Sequence, residues 1–311
     1  MYRIKEKPED FIVRELSLVK PQNKGKYTYF ILKKENYNTI RAIEHVAKVL
    51  KINSKTIGFA GNKDKIAITE QTCSVPAVSK EQLERVKLRD IELKFLGKGA
   101  EPISLGDLEG NEFEIIVRNI DEKPKAKNKF VNYFGEQRFS KINVPVGKVI
   151  VQKDFEKAVK LLLSNKGPEE IKIRDYNHKN PTNYVGALKI LPLKVLKIYV
   201  HAYQSWIWNQ VVEKIDKKGE LPLVGFGTLV DNRVLADFLA EERIKPRDFI
   251  IKEIPELSSE GDVRKIMAEA KDLKIGELED DELNQGKKKV KIQFKLPPGS
   301  YATEFIKQLF S

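Results

Sequence analysis

A chain of 311 residues, 41% of them hydrophobic, can build one large domain or two smaller ones and is too apolar to be disordered throughout. Its 57 Lys and Arg against 45 Asp and Glu leave a net charge of +12, which favours an anionic partner, with phosphate backbones first among them. The lone cysteine, Cys73, excludes an internal disulfide and any multi-cysteine metal site and fits a reducing, cytoplasmic setting.

No apolar run follows the N-terminus as a signal peptide would require. The most apolar segment, Ala187 to Val200, is interrupted by Lys189, Lys194 and Lys197 and is too short and charged to span a bilayer. In chain order, Phe11–Val13 reads as a strand entry after Pro8, and Tyr27–Leu32 as a second strand rich in aromatic and β-branched residues. Thr39 is the predicted N-cap of a helix running to Leu50, with Ile40, Ile43, Ala47 and Leu50 at helical spacing. The next stretch, from Thr56 to Val75, is the most informative. Gly58 and Gly61 bracket Phe59 and Ala60, and a polar segment containing Lys63, Asp64 and Lys65 follows. A strand is predicted from Ile66 onward, placing Asp64 at a tight turn between two strands.

Beyond it, residues 79–90 read as a charged helix, Ile91–Leu96 as a short strand, and Glu112 as the start of another. Residues Val131–Phe139 alternate packed aromatics with an amide, an acid and an arginine. Such residues either fill a core or hold an unstacked base. Asp154–Ser164 and Tyr199–Ile215 are predicted helices, the second with Tyr203, Trp206, Ile207, Val211 and Ile215 on one apolar stripe and Trp208 and Gln204 partly off it. Leu221–Leu229 is glycine-rich and could form a small sheet. Lys287–Leu296 alternates basic and apolar residues as a half-buried strand does, and a short helix reaches Phe310.

An Asp between lysines at a turn has two readings: a side chain that caps its own turn, or a carboxylate exposed on a loop for chemistry. The wider pattern weighs toward the second. The run Ala60, Gly61, Lys63, Asp64, Lys65, Ala67, Thr69 and Gln71 resembles the signature around the catalytic aspartate of the TruD family of tRNA pseudouridine synthases, in its archaeal form. Four further stretches resemble the same family in the same order. They are Lys5 with Pro8–Phe11 and Val13; the Leu-x-Gly-Asn-x-Phe run ending at Phe113; Asn132–Phe139; and Leu296–Thr303.

The resemblance implies an α+β fold: a pseudouridine-synthase catalytic domain on a mixed, largely antiparallel sheet, spanning 1–154 and 259–311. A second α+β domain, near 155–258, is inserted in it. It implies conversion of uridine to pseudouridine, most typically at position 13 of tRNA, with no cofactor, no metal, no membrane and no obligate protein partner. Asp64 would be the catalytic nucleophile or base, with Lys5 beside it. Phe11, Asn132, Phe134 and Tyr301 would hold the target nucleotide, and Lys63, Lys65 and Arg138 would meet RNA phosphates. Two rivals remain open: an RNA-binding or folding protein that keeps the pocket without chemistry, and a metal-assisted phosphoryl-transfer enzyme, which no clustered Asp/Glu motif supports.

Overall fold

The computed structural model describes residues 2–164 and 168–311. Contacts divide the chain into two compact units, Met1–Phe130 with Ala268–Ser311, and Val131–Met267. The second is a continuous insertion within the first. The expected edges near 155 and 258 both fall inside it, because the segments flanking those positions are packed there. The helix Asn143–Val151 lies against the helix Leu193–Glu213. At Gly147 the approach is so close that a Cβ would stand 2.0 Å from the Tyr199 carbonyl oxygen.

Six strands precede the insertion: β1 (Phe11–Ser17), β2 (Tyr27–Glu35), β3 (Gly58–Phe59), β4 (Ile68–Pro76), β5 (Ile91–Gly99) and β6 (Leu108–Ile120). The chain leaves the first unit through β7 (Lys129–Val131), forms β8 (Glu220–Leu223) and β9 (Asp262–Lys265) in the second, and returns through β10 (Met267–Glu269) to β11 (Lys271–Asp280) and β12 (Lys288–Leu296). The first unit holds an eight-stranded sheet in the order β11-β12-β6-β1-β4-β2-β5, with β3 paired to β4. The β1–β4 pair is parallel and its neighbours are antiparallel, so the sheet is mixed.

Alternation along β2 buries Phe30 and Leu32, and in β4 it buries Thr69, Gln71, Cys73 and Val75. The helix α1 (Thr39–Leu50) covers Phe30, Leu32, Cys73 and Val75 with Ala42, Ile43, Val46 and Ala47. A second cluster joins Phe11, Phe113, Ile115, Ile292 and Phe294 to Phe305 and Ile306 of the C-terminal helix Ala302–Leu309. The N-cap of α1 is Asn38 rather than Thr39: Asn38 Oδ1 accepts from the Ile40 and Arg41 amides. That shift of one residue leaves the Thr39 hydroxyl for the loop that carries Asp64.

The second unit is built around the helix Leu193–Glu213, which starts directly after Pro192 and earlier than its apolar stripe suggests. It is covered on more than one side, so Trp208 and Gln204 are buried as well. Trp208 Nε1 donates to Leu221 O at 3.1 Å, and Gln204 Nε2 to Val224 O at 2.6 Å. The glycine-rich run supplies β8, paired with β9. The predicted helix over 79–90 shortens to Lys80–Glu84, and β11 was not anticipated. Among the described residues no helix is long and apolar enough to cross a membrane.

Candidate active site

Asp64 lies on a loop, Ala60–Ala67, between β3 and β4. It is an extended crossing rather than the expected tight turn, since β4 begins at Ile68 and Ile66 is solvent-exposed. Entry to the loop needs glycine at 58, where a Cβ would meet Ile103 O at 2.3 Å. The loop is then fixed by buried polar side chains from the sheet and from the start of α1. Gln71 Nε2 donates to Gly61 O at 3.0 Å. The Lys63 amide donates to Thr39 Oγ1 at 3.0 Å, and that hydroxyl donates onward to Gln71 Oε1 at 3.2 Å. Lys34 Nζ donates to Asp64 O at 2.7 Å. A backbone with its amides and carbonyls claimed in this way has one conformation to offer, and the Asp64 side chain leaves it in a set direction.

The Asp64 carboxylate does not cap its turn. Among the described residues its hydrogen-bond and ion-pair partner is Lys5, whose Nζ lies 3.0 Å from Oδ1. Side-chain exposures of 19% for Lys5 and 29% for Asp64 make the pair partly sheltered yet reachable. Lys5 occupies the left-handed region at φ +60. Its ammonium stands 4.0 Å from the centre of the Phe11 ring, a cation–π seat. Phe11 itself is 1% exposed and meets Phe113 edge-on at 6.1 Å. The sequence reading gives Phe11 to the target-nucleotide pocket; here its ring lies in the core and serves as the platform for Lys5.

Lys63 is expected, with Lys65 and Arg138, to meet RNA phosphates. Its side chain is 5% exposed, 2.7 Å from Glu15 Oε2, and it donates to Asn111 Oδ1 at 2.7 Å. Glu15 is equally committed, with Oε1 accepting from the Thr72 amide just past the β1–β4 pairing. Lys63 thus ties the loop to β1 and β6. Lys65 is exposed and lines an open cleft of about 540 Å³ with Asn36, Tyr37, Asn38, Arg41 and His45. Neither Lys65 nor Arg41 has an ion pair among the described residues, and the cleft lining contains no acid. Tyr301, half-buried, is the N-cap of the helix Ala302–Leu309, and its carbonyl accepts from the Glu304 and Phe305 amides.

In the second unit, Asn132, Phe134 and Arg138 gather around a residue that the sequence reading passed over, Arg264. Its guanidinium donates to Asn132 O at 2.9 Å and to Asn132 Oδ1 at 2.8 Å. It also lies 4.0 Å from the centre of the Phe134 ring. Phe134 is 7% exposed, edge-on to Trp208 at 5.6 Å, with both its backbone N–H and C=O bonded to the Asn209 side chain. Arg138, half-buried, donates from Nε to Ser205 Oγ at 2.7 Å and flanks the same ring at 5.2 Å. Arg264 sits on the short strand Asp262–Lys265, whose residues other than Val263 are charged. Glu15 reads as the polar face of a strand, and Lys34 lies past the end of the expected strand Tyr27–Leu32. Nothing local marked any of the three.

The family model for tRNA pseudouridine synthase D (TruD) matches residues 2–177, 169–230 and 219–309. The tRNA pseudouridine synthase D of Aquifex aeolicus is 30% identical over 99% of this chain and 98% of its own length. A protein of Methanosarcina acetivorans named "Probable tRNA pseudouridine synthase D" is 31% identical over 98% of this chain and 92% of its own. A TruD crystal structure from Methanosarcina mazei superposes with a TM-score of 0.75 at 27% identity, covering 99% of this chain and 93% of that one.

Proposed function

The chain belongs to the TruD family, and from that membership we propose that it isomerises uridine to pseudouridine in tRNA, with Asp64 acting on the sugar of the target nucleotide. The reaction breaks the N1–C1′ bond, turns the uracil and joins C5 to C1′. C5 gives up a proton and N1 gains one, so the product is an isomer and no electrons enter or leave. Position 13 of tRNA is the target that the TruD resemblance implies.

The observation that carries this reading is the Lys5–Asp64 pair on a loop held from beneath. An ionised carboxylate is needed whether Asp64 attacks C1′ or takes the proton from C2′, and the Lys5 ammonium stands 3.0 Å from it. The target base must leave its stack, at a cost of a few kcal/mol, which aromatic stacking at about 1–3 kcal/mol per base offsets. With Phe11 and Phe134 enclosed, Tyr301 is the half-buried aromatic among the three candidates. The basic cleft at Arg41 and Lys65 supports an RNA substrate through backbone attraction.

The test is tritium release from tRNA labelled at C5 of uridine, with wild type and Asp64→Asn compared. Wild type is expected to release tritium, and Asp64→Asn to bind tRNA without releasing it. A wild-type rate in Asp64→Asn would remove the assigned role. A purely RNA-binding protein would release none in either case. Mapping the product then reads the position modified.

A further inference from the structure

Lys34 is a lysine where the strand pattern calls for an apolar residue. It continues the inward row Phe30, Leu32, Lys34 of β2 and is 1% exposed. Its cross-strand neighbours are Thr69 in β4 and Ile91 in β5, neither of which can carry its charge. The α1 residues that close this face, Thr39, Ala42 and Ile43, are uncharged too. The Lys34 ammonium instead reaches the loop above and donates to Asp64 O at 2.7 Å. Burying an ammonium is costly and is tolerated where it meets a specific acceptor. Here that acceptor is the main chain of the residue to which the reaction is assigned.

We propose that Lys34 is a positioning residue for the isomerisation: its charged hydrogen bond to the Asp64 carbonyl aims the carboxylate, and the aim is lost when Lys34 gives up its proton. The inference rests on the function proposed above. The ionisable groups that act on Lys34 are on the same loop. Asp64 stabilises its charge and Lys63, itself neutralised by Glu15, opposes it. Lys5 faces the far side of the pair, on the Asp64 carboxylate. Burial outweighs the attraction of Asp64 and pushes Lys34 down to about 8. A neutral amine can still donate to the carbonyl, but a charge-assisted bond is roughly twice as strong as a neutral one. Lys34 is itself buried, so its protonation is expected to act on turnover rather than on binding.

The experiment is the pH profile of kcat and KM on tRNA for wild type, Lys34→Arg and Lys34→Met, from about pH 6.5 to about pH 9.5, the range in which an acid or base of this affinity shows itself. In wild type, kcat is expected to fall through a midpoint near 8 with KM steady. Lys34→Arg keeps its charge over the whole range, and the fall is expected to vanish or to move up by at least about one pH unit. Lys34→Met is expected to lose up to about 100-fold in kcat, as a displaced catalytic group does, with KM unchanged and no fall near pH 8. Thermal unfolding of each variant separates misfolding from misaiming. A wild-type kcat that stays level across this range overturns the proposal without any variant, as does an Lys34→Arg profile that coincides with wild type. Absence of pseudouridine formation by wild type at neutral pH would instead remove the function itself.

Discussion

Lys5 Nζ and Asp64 Oδ1 lie 3.0 Å apart although 59 residues separate them in sequence. The arm that delivers Lys5 is clamped on both sides. Arg3 exchanges backbone hydrogen bonds with Arg118 of β6, and Asp10 receives the Arg118 side chain. Between these anchors Lys5 adopts φ +60, a conformation that costs a non-glycine residue about 1–3 kcal/mol. Lys5 thus holds a strained backbone between two anchors, beside the carboxylate to which the reaction is assigned.

Lys5→Met is accordingly expected to lower kcat by about 100- to 1,000-fold, the usual effect of removing one preorganised charged partner. Binding of tRNA should change little, since the Lys5 ammonium is already neutralised by Asp64. Lys5→Arg should recover part of the loss. Single-turnover tritium release with saturating enzyme measures the step directly, and a rate within threefold of wild type in Lys5→Met would contradict the role.

Arg264 organises the second unit's candidate residues in the same manner. One guanidinium holds the Asn132 carbonyl, the Asn132 side chain and the Phe134 ring. Arg264→Ala removes two charged hydrogen bonds and a sheltered cation–π contact, and is expected to destabilise the protein by about 1–3 kcal/mol. If Asn132 and Phe134 serve the target nucleotide, KM for tRNA should rise as well. Urea unfolding gives the first quantity and steady-state kinetics the second. Loss of stability with an unchanged KM would leave Arg264 a structural residue only.

The stretches with strong period-two or period-3.6 patterns were legible in the sequence: β1, β2, β12, α1 and the long helix Leu193–Glu213 all stand near where their apolar residues place them. What the pattern could not show is where polar residues point. Lys34, Glu15 and Arg264 are residue types expected in solvent, and each is held inside by a partner distant in sequence. Lys63 is a further case, since its place beside Asp64 gave no sign that its side chain would turn to Glu15. The strand β11 escaped because its few apolar residues, Leu273, Ile275 and Leu278, shift phase across a bulge. Phe11 shows the reverse case, an aromatic singled out by resemblance whose ring the core has already taken.

The cleft lined by Arg41 and Lys65 makes a separate statement about binding. Both side chains are exposed, and no acid shares the lining. Each phosphate neutralised releases counterions, so Arg41→Ala and Lys65→Ala should each weaken tRNA binding and each reduce the slope of log K against log salt by about one. Anisotropy titrations of labelled tRNA in the Asp64→Asn background isolate binding from turnover. An unaltered slope in both variants would exclude the cleft from the RNA path.

A buried ion cluster centred on Arg118 sets how the first unit responds to acid. Arg118, with its side chain 2% exposed, holds Asp10 at 2.8 Å and Asp281 at 2.8 Å, both with fully buried side chains. Burial alone would raise the Asp281 carboxyl, but the Asn119 and Leu283 amides, the Asn284 side chain and Arg118 outweigh it and hold the group at about 2, below its ordinary 3.8. A carboxyl depressed on folding contributes stability that is complete above its unfolded value and is lost as the pH falls through its folded one. Stability is therefore expected to decline between about pH 4 and about pH 2. Arg118→Met leaves two buried carboxylates without their cation and is expected to cost about 3–5 kcal/mol at neutral pH. As acid protonates the Asp281 carboxyl the missing cation matters less, so the gap between wild type and Arg118→Met should narrow over the same interval. Urea unfolding at a series of pH values measures both curves, and a gap that stays constant down to the lowest pH would show that Arg118 does not act through these carboxylates.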